Sequence, residues 1–392
     1  MEICSLDKCT GCGACAYICP NQCIKMEEDS LGVIYPAIDK GLCVGCNKCK
    51  TVCPSLNDAG FNQPKVSYAA WSANVNERRS SASGGVGAEI YYYALDNNMV
   101  VAGAKTNHDF SVALAIAENK EDAKSFKNSK YVFSTLYSLY PELKKTLEAG
   151  KGAVVIALPC QIAAIKKVFK GYDNLYLADV VCHGTTSVSY LRQHIKALEK
   201  IANKKTTKMS FRDPSYKTSS YTFTLYDSGN NCFYAQRTKD GDCYQFGYHK
   251  AVSYRENCYN CRYAQQKRVS DITLCDYWGL GKKAPWEYEK EEVTCILVNT
   301  EKGKEIIDKL IAEKRILAYE RPIEEETEAN NQLRHPVKKS KMRMDFEKNI
   351  KRYKGDFEAA MAVVIRKNSV REKIYRIKSY VKRSVKQIIK RR

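Results

Sequence analysis

The sequence predicts an α+β protein in three parts: a small cysteine-rich domain, a larger mixed α/β domain and a basic C-terminal helix. Three observations lead to this prediction. A four-cysteine spacing occurs twice within residues 9–54, and apolar segments of strand and helix length follow one another after residue 65. An apolar stripe of helical period then runs through the basic end of the chain.

The cysteine-rich domain is predicted over residues 1–60. Its two runs, residues 9–20 and 43–54, both have the spacing C-x2-C-x2-C-x3-C-P. In this spacing three thiolates of a run bind one [4Fe-4S] cluster, and the fourth binds the other cluster. The sequence therefore predicts a dicluster, ferredoxin-like domain, with a β-hairpin formed by the apolar segments between the runs.

The two predicted ligand sets each combine cysteines from both runs. They are Cys9, Cys12, Cys15 and Cys53 for one cluster, and Cys43, Cys46, Cys49 and Cys19 for the other. A disulfide framework and a zinc site are the alternatives. The duplicated register disfavours disulfides, and zinc ribbons use separate C-x2-4-C pairs.

Cysteine usage also indicates a compartment. Eighteen cysteines without an apolar signal segment predict metal binding in a reducing cytoplasm. The cysteines outside the motifs are interpreted as ordinary thiols: Cys4, Cys23, Cys232, Cys243 and Cys295.

The net charge of +20 is unevenly distributed. Residues 1–60 carry five Lys or Arg against seven Asp or Glu, whereas residues 366–392 carry twelve against one. More than half of the excess therefore lies in the last segment, and the basic composition does not predict nucleic-acid binding. No apolar run approaches the ~18 residues that a membrane span requires.

A basic helical tail is predicted over residues 346–392. Its apolar stripe consists of Val370, Ile374, Ile377, Val381, Val385 and Ile388. Such a helix predicts peripheral contact with an anionic membrane at its inner face. The stripe lacks Trp and Phe, so docking on the body of the protein or on a partner is the competing interpretation.

The larger domain begins, in residues 65–150, with a predicted strand at 66–71. A Ser-Gly-rich segment containing Ser83, Gly84 and Gly85 then precedes a helical segment at 90–95. Free N–H groups at a helix start attract anions, so this segment is either an anion site or an ordinary N-cap. Two strands (100–104 and 112–117) and a helix (136–147) are expected to follow.

Residues 151–345 continue the domain with the order strand 153–158, helix 162–169, strand 175–181 and helix 188–201. This order predicts a parallel strand pair, with Cys160 and Cys182 at the strand ends. Ligands bind at that edge of open α/β sheets. Antiparallel strands are expected within residues 207–235, followed by a strand (293–299), a helix (302–311) and a strand (316–319).

Several short motifs in the larger domain resemble those of a known family. They are Pro159-Cys160-Gln161, Cys182-His183-Gly184, and Cys258-Tyr-Asn-Cys261 followed by Ser270-Asp271-Ile-Thr. In their order they are similar to the coenzyme F420 hydrogenase/dehydrogenase beta-subunit family, in its form with a fused N-terminal dicluster ferredoxin domain. The resemblance extends from the first cysteine run to about residue 340.

The resemblance implies a flavin, usually FAD, and a third [4Fe-4S] cluster. The ligands of this cluster would be Cys160, Cys182, Cys258 and Cys261. Two cysteines at adjacent strand ends and a C-x2-C pair that closes over them are consistent with this set. Cys275 is a rival fourth ligand, and a buried structural role is the alternative for Cys160 or Cys182 alone.

The family resemblance also implies positions for the flavin contacts. Ser83, Gly84 and Gly85 would lie near the flavin phosphates, and Lys130, Tyr131 and Asp276 would contact the flavin or the substrate. His183 is the candidate catalytic residue, because it could tune the cluster or move a proton. A packed histidine that donates to a carbonyl is the alternative.

Together these features predict an iron–sulfur flavoprotein oxidoreductase. Electrons would pass between a ferredoxin-type donor or acceptor and a hydride-accepting small molecule. That molecule would be the deazaflavin coenzyme F420 or another organic compound, with cell-surface polysaccharide metabolism as one context. The alternative is a non-catalytic electron-transfer subunit of a larger hydrogenase or reductase complex.

Overall fold

A computed structural model describes residues 2–371 of the chain. Most of the predicted apolar stripe of the tail lies outside the described residues, namely Ile374, Ile377, Val381, Val385 and Ile388. Within residues 2–371 no helix has both the length and the apolar character needed to cross a bilayer.

The cysteine-rich domain contains two short helices and one hairpin. Its elements are α1 (Ala14–Tyr17), β1 (Ile24–Glu28), β2 (Ile34–Ile38) and α2 (Lys48–Val52). Strands β1 and β2 pair antiparallel, from Ile24 opposite Ile38 to Glu28 opposite Ile34. The predicted hairpin between the cysteine runs is therefore confirmed. Strand β1 extends two residues past the apolar segment 24–26, and β2 begins one residue later and ends three residues later than the segment 33–35.

The larger domain begins with six strands and six helices that largely alternate. They are β3 (Val66–Ser72), α3 (Val75–Ser80), α4 (Val86–Asp96), β4 (Val100–Thr106), β5 (Val112–Ala117), α5 (Lys120–Ala123), β6 (Ser134–Thr135), α6 (Leu139–Glu148), β7 (Ala153–Ala157), α7 (Pro159–Val168), β8 (Leu175–Val180) and α8 (Val188–Ala202).

The remaining elements form a small sheet, complete the large one and add the last helices. They are β9 (Lys208–Ser210), β10 (Thr222–Tyr226), β11 (Cys232–Arg237), α9 (Cys243–His249), β12 (Ile272–Asp276), β13 (Thr294–Val298), α10 (Glu301–Ala312), β14 (Ile316–Arg321), α11 (Ile323–Thr327), α12 (Lys341–Arg352) and α13 (357–371).

A nine-stranded mixed sheet organises the larger domain, in the order β14-β3-β13-β12-β8-β7-β4-β5-β6. Its centre, from β12 through β8 and β7 to β4, is parallel. The prediction that β7 and β8 form a parallel pair is thus confirmed. Strands from residues 65–150 and from residues 151–345 interleave in this one sheet.

The central strand β7 is buried on both faces, which explains its continuous apolar sequence. Ala153, Val155 and Ala157 belong to the core shared with α6 and α7. Val154 belongs to the core shared with α4 and α10 on the opposite face. Helices on both faces leave the carboxyl edge of the parallel strands open to loops, and the predicted site lies there.

The strand after Gly152 ends one residue earlier than expected, and the following helix begins three residues earlier. Pro159 occupies the first turn of α7, where its fixed φ suits a helix and its missing N–H costs nothing. The placement of Cys160 at a strand end is therefore wrong: Cys160 lies in the first helical turn. Cys182, in contrast, follows the end of β8.

The C-terminal helices are part of the body of the protein as far as they are described. Phe346 and Ile350 of α12, together with Phe357 and Met361 of α13, are buried in one core. That core also contains Phe223 of the small antiparallel sheet, whose order is β11-β10-β9. The first half of the predicted 346–392 tail is thus packed against the larger domain.

Candidate cluster and cofactor sites

The first predicted cluster set lies inside the cysteine-rich domain. Cys9, Cys15 and Cys53 are buried, and the pKa of the Cys15 thiol is raised by burial and by the neighbouring cysteines. Cys4 lies beside the set: hydrogen bonding with its thiol lowers the pKa of Cys9 to about 7 and that of Cys53 to about 6. Sequence reasoning missed Cys4, because it stands outside the repeated motif.

The second predicted set lines a single pocket at the surface. Its walls include Cys19, Cys43, Cys46 and Cys49. Cys23, interpreted from sequence as an ordinary thiol, lines the same pocket, with its Sγ 3.3 Å from the Sγ of Cys19. Cys46 is exposed, and so are the neighbouring Leu42 and Val44, at 55% and 69% of their surface.

The four cysteines predicted for a third cluster line one cavity. Cys160 comes from α7, Cys182 from the loop after β8, and Cys258 and Cys261 from a loop that includes residues 256–261. Thr10, Gly11 and Cys12 of the cysteine-rich domain line the same cavity.

Cys275 does not line the cavity of the four cysteines. It lies in β12 opposite Cys295 of β13, and its Sγ is 3.7 Å from Oε1 of Glu326. The structure therefore places this rival ligand apart from the four cysteines and on the wall of the larger cavity described below.

Backbone contacts hold the two loops of this cavity together. The Arg255 N–H donates to the Thr185 carbonyl at 2.8 Å, and the Cys258 N–H donates to the Arg255 carbonyl at 3.0 Å. Gly184 has φ 146°, and a Cβ at this position would lie 2.3 Å from the Tyr254 ring. Glycine at this position thus allows the loop carrying Cys182 to approach the loop carrying Cys258.

Burial and mutual repulsion dominate the electrostatics of the four thiols. Burial raises the pKa of Cys160 and Cys182, and the charges of the other cysteines raise it further. Burial likewise raises the pKa of Cys261, to about 11. Arg268 borders the cavity, and its guanidinium opposes this rise at Cys182 and Cys261.

Arg268 is held in place by a fully buried ion pair. Its Nη2 lies 3.0 Å from Oδ1 of Asp179, and the two side chains are 1% and 0% exposed. Its Nη1 donates to the Tyr263 carbonyl at 3.0 Å. A fixed cation beside four thiols suits a metal centre whose thiolate ligands carry negative charge.

The cysteine-rich domain is docked against this cavity by hydrogen bonds to its ligand loops. The hydroxyl of Tyr137 donates to the Gly11 carbonyl at 3.1 Å, and the hydroxyl of Tyr140 donates to the Cys12 carbonyl at 3.0 Å. Arg262 donates to the Pro54 carbonyl at 2.9 Å, next to Cys53. The first set of cluster cysteines therefore lies directly beside the cavity of the four cysteines predicted for the third cluster.

A larger cavity of about 590 Å³ adjoins the first, within the usual size of cofactor sites. It gathers most of the residues predicted for flavin contact, together with the candidate catalytic residue: Ser83, Gly85, Lys130, Tyr131, Asp276 and His183. Gly84 does not line it. The backbone of Gly84 packs on the sheet, where a Cβ would lie 2.8 Å from Oγ1 of Thr294.

One end of the large cavity is suited to anions. Helix α4 begins there after Gly85, which has φ 81°, and among the described residues no side chain caps it. Ser83 instead donates to the Val293 carbonyl at 3.2 Å, so the N-cap alternative does not hold for this serine. Lys130 also lines the cavity, and burial lowers its pKa to about 7.

Part of the wall of the large cavity is aromatic. The ring of Tyr131 stacks on Tyr248, with centroids 4.5 Å apart and an interplanar angle of 23°. His249 packs edge-on against both rings, and burial lowers its pKa to about 4. Burial also lowers the pKa of His183, whose ring lies 5.1 Å from that of Trp278.

The Asp276 carboxylate is engaged rather than free. Its Oδ2 accepts from Nη1 of Arg212 at 2.9 Å and from the hydroxyl of Tyr221 at 3.1 Å. Sequence reasoning missed Arg212, Tyr221, Tyr248 and His249 as cavity residues, because they lie in segments without a recognisable motif.

Comparisons with known proteins agree with this arrangement at the level of domains. Residues 150–324 match the family model for the C terminus of the coenzyme F420 hydrogenase/dehydrogenase beta subunit, and residues 8–57 match the 4Fe-4S dicluster domain. A search among curated proteins found no match.

One solved structure that is similar to this chain comes from the F420-reducing [NiFe] hydrogenase complex of Methanosarcina barkeri. The identity is 16% and the TM-score 0.43, over 78% of this chain and 93% of that chain. The assignment of this chain therefore depends on the two family models.

Proposed function

Because the chain belongs to the coenzyme F420 hydrogenase/dehydrogenase beta-subunit family, with a 4Fe-4S dicluster domain at its N-terminus, we propose that it is an iron–sulfur flavoprotein oxidoreductase. Electrons are exchanged with a ferredoxin-type partner at one end and with a hydride-accepting organic molecule at the other. The deazaflavin F420 is the first candidate for that molecule.

The observation that carries this proposal is the shared wall between two cavities. Residues 182–185 line both the cavity of four cysteines and the 590 Å³ cavity. Cys12 connects the cavity of four cysteines with the cysteine-rich domain, because it belongs to the first N-terminal set and also lines that cavity. The two N-terminal sets adjoin each other as well, because Cys15 and Cys53 pack in one cluster with Cys19, Cys43 and Cys49. Four sites thus adjoin one another from the protein surface to the large cavity.

The thiol sets fit three [4Fe-4S] clusters. Each set supplies four sulfur atoms at one pocket or in one buried group, which is the donor number that such a cluster requires. The exposed second set is the entry point for electrons, since Cys46, Leu42 and Val44 are accessible to a docking partner. The buried third set is the inner end of the path.

The large cavity fits a flavin dinucleotide. The uncapped start of α4 provides N–H donors for phosphate groups. Lys130 adds a positive charge to the cavity wall, while its Nζ donates to the carbonyls of Phe126 and Lys127. The stacked pair of Tyr131 and Tyr248 offers a flat apolar surface for a planar ring.

When bound, the flavin would supply the conversion between single-electron and hydride chemistry. The protein holds the cofactors in place, excludes water and supplies a proton site. His183 lies on the wall common to both cavities, and its lowered pKa leaves the ring neutral near pH 7. A neutral imidazole in this position can accept a proton that accompanies electron transfer.

Anaerobic purification followed by cofactor counting tests the proposal. We expect about twelve iron atoms per chain, from three clusters of four, together with one flavin. In stopped-flow experiments the chemically reduced protein should then be reoxidised by F420 or another organic hydride acceptor.

Fully metallated protein without flavin would contradict the proposal. The protein could instead retain its flavin, be reoxidised by no organic acceptor and become active only with a co-purifying subunit. That result would support the alternative function, a non-catalytic electron-transfer subunit of a larger complex.

A further inference from the structure

A cluster of metal-binding side chains lies outside the cofactor cavities, where three helices meet. His194 lies in α8, Cys243 is the first residue of α9, and Glu358 lies in α13. Nδ1 of His194 is 2.8 Å from Oε1 of Glu358 and 3.4 Å from Sγ of Cys243. The Cys243 Sγ is 3.5 Å from the same Oε1 of Glu358 and 3.3 Å from its Oε2.

The second ring nitrogen of His194 is fixed independently. Its Nε2 lies 3.0 Å from Oδ2 of Asp242, and both side chains are buried. Asp242 is itself held by the Gln245 N–H at 2.6 Å and by the Tyr234 hydroxyl at 2.8 Å. A carboxylate on the far nitrogen of a histidine is the arrangement that orients histidine ligands in zinc sites.

The separations between the three ligand atoms are close to those of a tetrahedral zinc site. With bonds of about 2.0–2.1 Å to nitrogen or oxygen and about 2.3 Å to sulfur, tetrahedral ligand atoms lie roughly 3.3–3.6 Å apart. With Oε1 as the Glu358 ligand atom, the two separations that involve the Cys243 Sγ already fall in this range. The third, between His194 and Glu358, requires a widening of about 0.5 Å.

We propose that His194 Nδ1, Cys243 Sγ and the Glu358 carboxylate bind one zinc ion, with water in the fourth position. The nitrogen, sulfur and oxygen donors all belong to the set that zinc accepts. A neutral imidazole, a thiolate and a carboxylate would together balance the charge of Zn²⁺. The Glu358 side chain is 36% exposed, so the ion can enter from solvent.

Such an ion would join elements that are far apart in sequence. It would fix α13 to α8 and to the start of α9. Helix α9 also carries Tyr248 and His249, which form part of the aromatic wall of the large cavity. The zinc would therefore act as a structural clamp that positions one wall of the cofactor cavity.

Zinc K-edge X-ray absorption on the anaerobically purified holoprotein, combined with metal analysis, tests this proposal. After loading with Zn²⁺ and washing with a chelator, we expect one zinc per chain with iron content unchanged. The spectrum should show one sulfur at about 2.3 Å and three nitrogen or oxygen neighbours at about 2.0–2.1 Å. Zinc misplaced in a cluster site would show mainly sulfur, together with a deficit of iron.

The variants Cys243→Ser and Glu358→Gln should lose the chelator-resistant zinc while keeping the full iron content, which reports on folding. Cys232→Ser is the matched control, because this thiol is exposed and lies in β11, outside the three-residue group. The proposal is overturned if the holoprotein with full iron takes up no zinc, if zinc persists unchanged in Cys243→Ser, or if its neighbours are mainly sulfur.

Discussion

Removal of one cysteine of the third set should remove one cluster and leave the other two. The change we propose is Cys258→Ala. Its loop, which includes a short 3-10 turn over residues 256–260, lies outside both the large and the small sheet, so the substitution leaves the main framework in place. Cys258 shares its cavity with Cys160, Cys182 and Cys261, whereas the N-terminal sets use other cysteines.

The expected magnitude follows from the grouping of the thiols. With three sets of four cysteines, loss of one set lowers the iron content from about twelve to about eight atoms per chain. Cys275→Ala is the matched control, because Cys275 lies in β12 against Glu326 and should leave the iron content unchanged. Both variants would be purified anaerobically and analysed for iron and sulfide, with electron paramagnetic resonance of the reduced protein.

Two outcomes would refute this reasoning. Retention of about twelve irons in Cys258→Ala would mean that Cys258 is not needed to hold the third cluster. Loss of about four irons in Cys275→Ala, with Cys258→Ala unaffected, would make Cys275 the ligand and would mean that the cysteine grouping in the structure does not predict ligation.

Three further predictions concern other parts of the site. In the unmodified protein, flavin affinity should fall by up to tenfold per pH unit as the pH rises above about 7 and the Lys130 amine loses its proton. Lys130→Met should abolish this pH dependence in fluorescence titrations. Lys124→Met, at an exposed neighbouring site, should keep it. Arg268→Met should destabilise the holoprotein by about 3–5 kcal/mol in anaerobic urea unfolding, because Asp179 loses its buried cation, and an unchanged midpoint would contradict this. Gly184→Ala should lower the iron content by about four atoms through displacement of the Cys182 loop, and unchanged iron would show that the loop adapts to the clash.

Much of the fold could be predicted because local signals were strong. The apolar runs of β7 and β8 and the periodicity of α8 placed these elements within one or two residues. The order of the nine-stranded sheet could not be predicted, because β3 pairs with β13 and β14, which lie more than two hundred residues later in the chain. Nothing in the composition of β3 specifies those partners.

The site residues also fall into those that local motifs predicted and those that depend on tertiary packing. Spacing identified the eight N-terminal cysteines, and short motifs identified the four cysteines that line a common cavity in the larger domain. Gly84 packs against the sheet while Ser83 and Gly85 of the same turn line the cavity, and the spacing of small residues could not distinguish the three. Arg212 and Tyr248 were missed because their place in the cavity depends on tertiary packing of segments with no motif of their own.

The attachment of the cysteine-rich domain through Tyr137, Tyr140 and Arg262 has a kinetic consequence. These hydrogen bonds hold the first cysteine set at a fixed separation from the four cysteines of the adjoining cavity. Under the proposed function, electron transfer between these two sites would be unimolecular and insensitive to dilution. The encounter of the redox partner with the face around Leu42 and Val44 would be the step that depends on the concentration of that partner.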